Sequence, residues 1–85
     1  MKRTELKKKL ENPTPESRRL YRNYPHLYRD LILWEDYLQC VAQRRKEKIH
    51  APKDRARNDI LSYYGISEKT FYAIRRTLRA LCSDV

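Results

Sequence analysis

With 85 residues the chain has room for one domain, near the size below which a core alone gives little stability. Twenty Lys and Arg against 11 Asp and Glu leave a formal charge of +9, which favours phosphate polyanions or an anionic membrane surface as partners. Only Cys40 and Cys82 are present, which argues against a disulfide scaffold, and no run approaches the ~18 apolar residues of a membrane span.

A single glycine and the lack of strand-like alternation predict an all-α chain, a small helical domain with a long central helix. The charge is uneven: residues 1–9 hold five basic and one acidic side chain, residues 43–57 hold seven and two, and residues 10–42 hold four and five. Residues 2–11 are compatible with a helix but offer only Leu6 and Leu10 as apolar groups. Residues 1–12 therefore read as a basic N-terminal arm, with a single helical domain over 13–85. Asn12-Pro13-Thr14-Pro15 breaks the chain; Thr14 can cap, and Pro15 can begin, a short helix reaching about Asn23. Pro25 then ends or kinks it.

The longest helix is expected over 26–48, with Leu27, Leu31, Trp34, Leu38 and Val41 on one face. Asp30 and Glu35 near its start and Arg44, Arg45, Lys46 and Lys48 at its end suit the helix dipole. Ile32 and Leu33 lie off the stripe. They either meet the short first helix or, with Tyr37, form the contact of a homo-oligomer. Ile49-His50-Ala51 reads as a linker. Pro52 can start the next helix, over 53–64, with Ala56, Ile60, Leu61 and Tyr64 inward.

The most informative stretch is RNDILSYYGISEKTFYAIRR, residues 57–76. Gly65 can take positive φ at a helix end, Ile66 can plug the angle between two helices, and Ser67 can cap the second one ahead of Glu68. In the helix over 67–81, Phe71, Ile74, Leu78, Leu81 and Cys82 share one face. Lys69, Tyr72, Arg75, Arg76 and Arg79 share the opposite face, and no acidic residue lies among residues 72–81 to pair with them.

This stretch resembles the helix-turn-helix DNA-binding unit of bacterial and phage regulators, recombinases and transposases, at about residues 53–82. Gly65, Ile66, Phe71 and Ile74, together with Ile60 and Leu61, carry the likeness. The resemblance implies that Ser67, Glu68, Lys69, Thr70, Tyr72, Ala73 and Arg76 face base edges or nearby phosphates, with Arg75 and Arg79 on the flanking backbone. It also implies backbone contacts from Arg44, Arg45, Lys46, Lys48, Lys53, Arg55 and Arg57, with Lys7, Lys8 and Lys9 of the arm adding to them. The family carries a small residue four places before the turn glycine, where this chain has Leu61. Either the two helices stand further apart, or Ile60 and Tyr64 take over the packing.

Catalysis finds little support. Glu35 and Asp36 are adjacent and diverge by ~100° on a helix. No glycine-rich phosphate loop occurs, and His26, His50, Cys40 and Cys82 fit no metal-ligand spacing. The expectation is a cytoplasmic, nucleoid-associated protein that is not an enzyme and takes neither metal nor cofactor. It would bind double-stranded DNA as a transcription regulator, an excision or recombination cofactor, or a phage control protein. The alternative is a protein-interaction or structural factor, such as a phage inhibitor or packaging or virion subunit, whose basic surface meets an acidic partner. RNA is a third partner class.

Overall fold

A computed structural model describing all 85 residues contains five helices: α1 (Arg3–Glu11), α2 (Pro15–Asn23), α3 (Leu27–Lys46), α4 (Pro52–Tyr64) and α5 (Glu68–Leu81). The chain is all-α, as its composition predicts. The 20-residue α3 is the axis of the molecule. Helices α1, α4 and α5 pack against it, and α2 packs against α1, within extents of 44 × 23 × 18 Å.

The helix ends follow from local chemistry. At the start of α2, the Ser17 amide donates to Thr14 Oγ1 at 3.1 Å and the Thr14 amide donates to Ser17 Oγ at 2.9 Å, so each residue satisfies one free amide of the other. Pro15 occupies the first turn, where its missing N–H is no loss. At the end of α3, the Lys48 amide reaches the Arg45 carbonyl and the Ile49 amide reaches that of Arg44, both at 3.0 Å. This is a Schellman end, and it places Lys48 in the left-handed region at φ 58°. Helix α3 therefore stops at Lys46, two residues before the expected boundary.

Leu27, Leu31, Trp34 and Val41 of α3 are buried, with Leu38 half-buried, as their spacing implies. Ala56 and Ile60 of α4 and Phe71, Ile74 and Leu78 of α5 complete the inward faces. An aromatic group joins α3 to α5: Trp34 and Tyr37 lie 4.8 Å apart between ring centroids, and Tyr37 meets Phe71 edge-on at 5.1 Å.

Two expectations are corrected. Residues 1–12 are not a free arm. Leu6 and Leu10 stand four apart, one helical turn, so two apolar groups suffice to dock α1 in the main core, where Leu6 is 0 % exposed. The N-terminus is also tied to the C-terminus. The Ser83 amide donates to the Met1 carbonyl at 2.8 Å, and the Arg3 amide donates to Asp84 Oδ1 at 2.9 Å. Second, Leu33 is buried within the protomer and presents no surface for a subunit contact, while Tyr37 packs on Trp34 and Phe71 and stays half-buried. Ile32 is likewise half-buried.

Candidate nucleic-acid interface

The turn between α4 and α5 is built as its residues require. Gly65 sits at φ +64°, where a side chain would be strained, and the Ile66 amide reaches back to the Leu61 carbonyl at 3.1 Å. Ser67 Oγ accepts from the Thr70 amide at 3.2 Å and lies 3.1 Å from the Thr70 hydroxyl. Both hydroxyls are thus engaged in starting α5, which limits what they can offer a ligand. Ile66 is half-buried against the core.

α5 has two distinct faces. Phe71, Ile74 and Leu78 hold it to α3. Opposite them, Lys69, Tyr72, Ala73, Arg76 and Arg79 are exposed and Arg75 is half-buried. Tyr72, Arg75, Arg76 and Arg79 line a shallow hollow along this face. No cation of α5 has a carboxylate within ion-pair distance. The ion pairs of the molecule instead engage Arg3, Lys7, Lys9, Arg29, Arg44 and Arg57.

The expected backbone-contact residues therefore divide. Lys7 lies 3.9 Å from Glu35, Lys9 lies 2.8 Å from Glu16, and Arg44 pairs with Asp59. Arg57 stands 3.6 Å from Asp54 and 3.5 Å from Glu68, and its Nη1 donates to the Tyr72 hydroxyl at 2.9 Å. That hydrogen bond holds the Arg57 guanidinium above the usual arginine range. Lys8, Arg45, Lys46, Lys48, Lys53 and Arg55 are exposed and outside any ion pair, although Arg55 Nε donates to the His50 carbonyl at 3.0 Å.

The backbones of α4 and α5 scarcely approach one another; each packs on α3, and the two meet through side chains. This resolves the choice posed by Leu61. The helices stand apart, Ile60 is the buried residue, and Leu61 and Tyr64 flank it half-buried.

Sequence reading overlooked Arg18, Arg19 and Arg22. All three are exposed on the outer face of α2, none has a carboxylate partner, and together with Pro15 they line a small hollow. The usable signal was their spacing, opposite the inward Ser17, Leu20, Tyr21 and Tyr24. It was masked by averaging their charge over a nearly neutral stretch. Comparison of the chain with family models, curated proteins and solved structures gives no match. No helix is long and apolar enough to cross a membrane.

Proposed function

We propose that the protein binds double-stranded DNA, with α4, the Gly65 turn and α5 acting as a helix-turn-helix unit and the outer face of α5 entering the major groove. The reading is that of a small regulatory or accessory factor acting on the nucleoid: a transcription regulator, an excision or recombination cofactor, or a phage control protein.

One observation carries it. Lys69, Arg75, Arg76 and Arg79 lie together with Tyr72 and have no carboxylate to meet. Like charges three and four residues apart on a helix repel, by about 0.2–0.5 kcal/mol a pair. An external polyanion reverses that sign. Arginine and lysine reach phosphates or guanine edges, and tyrosine adds a hydroxyl and a flat apolar surface. A single unit reads only a few base pairs, so specific recognition calls for a dimer on paired half-sites or cooperative binding.

The test is a mobility shift with random duplex DNA at two salt concentrations. If six to eight cations touch phosphates, affinity falls by roughly 10³-fold or more between 50 and 200 mM salt. The absence of retardation at the lower salt overturns the DNA reading and favours an acidic protein as partner. Preference for structured RNA over duplex at matched salt moves the assignment to RNA.

A further inference from the structure

Three buried side-chain donors have no acceptor: Trp34 Nε1, Arg57 Nε and Arg75 Nε. They come from three different helices, yet all three residues line one crevice between α3, α4 and α5. Buried N–H groups are almost always paired, so each orphan calls for an explanation, and three orphans at one place call for a common one. The crevice also presents the Lys53 ammonium and the Tyr72 hydroxyl, and its one carboxylate is Asp54, already directed at Arg57 across 3.6 Å. With Glu68 also 3.5 Å from Arg57, three cations stand against two carboxylates, and the crevice keeps a net positive charge.

We propose that this crevice binds a phosphate group, with the Trp34 indole N–H and the Arg57 and Arg75 guanidinium groups as its donors. The volume is about 160 Å³, well below the ~300–1,000 Å³ of sites for whole organic ligands. A tetrahedral oxyanion accepts from several directions at once, which suits donors carried on three helices, whereas a planar carboxylate is best met by two parallel N–H groups from one guanidinium. The Arg57–Tyr72 hydrogen bond joins the α4 and α5 walls. Tyr72, 37 % exposed, forms part of the crevice wall. The phosphate belongs either to a nucleic-acid backbone or to a free phosphate species. In the first case the crevice deepens the DNA-binding reading and rests on it: one backbone phosphate is gripped beside the outer face of α5.

Trp34 is the only tryptophan, so its indole N–H resonance reports on the crevice without any activity assay. The ¹⁵N-labelled protein is titrated with inorganic phosphate, with chloride and acetate at the same ionic strength, and with duplex DNA. Phosphate is expected to move the indole resonance saturably while chloride and acetate do not. Arg57→Gln and Arg75→Gln should each weaken the phosphate response by about tenfold or more. If DNA moves the resonance in the same direction, the source is the backbone; if DNA binds without moving it, the source is free phosphate. A resonance that phosphate leaves in place, or that acetate moves equally, overturns the inference, even where DNA is retarded and the DNA reading stands. A phosphate response without DNA retardation at low salt has the opposite meaning: the crevice is upheld and the DNA reading fails.

Discussion

Arg57 of α4 and Tyr72 of α5 share a hydrogen bond of 2.9 Å, so two residues expected to touch nucleic acid are also tied to each other. The bond lies at the surface, and surface polar contacts contribute little to stability. Its effect is orientation: the Tyr72 ring is held beside the arginines of α5. Arg76, by contrast, has no partner within the chain.

This difference separates stability from recognition. Arg76→Ala should leave the unfolding free energy within about 0.5 kcal/mol of wild type. On the DNA reading it should weaken binding to a preferred site by ~1–3 kcal/mol and relax the sequence preference. Tyr72→Ala should weaken binding by a similar amount and also free the Arg57 guanidinium. Urea unfolding and anisotropy with a labelled duplex measure the two effects. Unchanged binding by Arg76→Ala means that α5 is not the reading helix.

The placement of α1 gives a sharper structural prediction. Leu6 is fully buried, so Leu6→Ala should destabilise the protein by about 2–5 kcal/mol. The terminal clamp acts in the same direction. Partial burial pushes the Asp84 carboxyl up, but hydrogen bonds from the Arg3 amide and guanidinium outweigh this and leave it below the usual carboxylate range. Removal of residues 1–12 should consequently lower the unfolding midpoint, whereas trimming a solvated arm changes nothing. Denaturant melts of the truncated and full-length chains distinguish the two cases.

The α2 arginines test how much of the surface meets a polyanion. If Arg18, Arg19 and Arg22 each contact a phosphate, changing all three to Gln should reduce the slope of log affinity against log salt by about 2.7, at ~0.9 per contact. If α2 faces solvent in the complex, the slope stays put. All three side chains are exposed and outside any ion pair, so the folded state should tolerate the change.

Several boundaries of α2, α4 and α5 were legible because they have a local chemical cause: Thr14 with Pro15, Pro52, Gly65, Ser67. Most inward positions were legible because the apolar spacing of α3, α4 and α5 is regular, Leu33 of α3 being the exception. Where the sequence reading went astray, the cause was not local. Leu6 and Leu10 look too few to anchor a helix until a leucine-rich surface on α3 receives them. Lys48 adopts the left-handed conformation without being glycine, so nothing in its identity marks the end of α3. Ion pairs such as Lys7 with Glu35 and Arg44 with Asp59 join distant segments, and a count of charges along the chain cannot show which cations they occupy. Trp34, Arg57 and Arg75 stand in three separate segments, so their shared crevice emerges only from the packing of α3, α4 and α5.

The last prediction concerns alkaline pH. Tyr64 of α4 donates its hydroxyl to the Asp36 carboxylate of α3. Burial, then this hydrogen bond, then the Asp36 charge push its pKa up to about 12, from an ordinary value near 10. The folded state thus keeps a proton that the unfolded chain gives up first. Between pH 10 and 12 the unfolded state binds fewer protons at this group, so the Tyr64 contribution is complete below pH 10 and falls as pH rises through the folded pKa. Burial also raises Tyr37, Cys40 and Cys82, which adds to the loss with the same sign. Two units correspond to ~2.7 kcal/mol at most, and partial solvent access reduces the contribution of Tyr64 to about 1–2 kcal/mol. Tyr64→Phe should therefore destabilise the protein by about 1–2 kcal/mol at pH 7, where the bond is intact, and flatten the decline above pH 10. Urea unfolding at pH 7, 10 and 11.5 measures both quantities. A variant that declines as steeply as wild type would show that the Tyr64–Asp36 contact does not govern the alkaline limit.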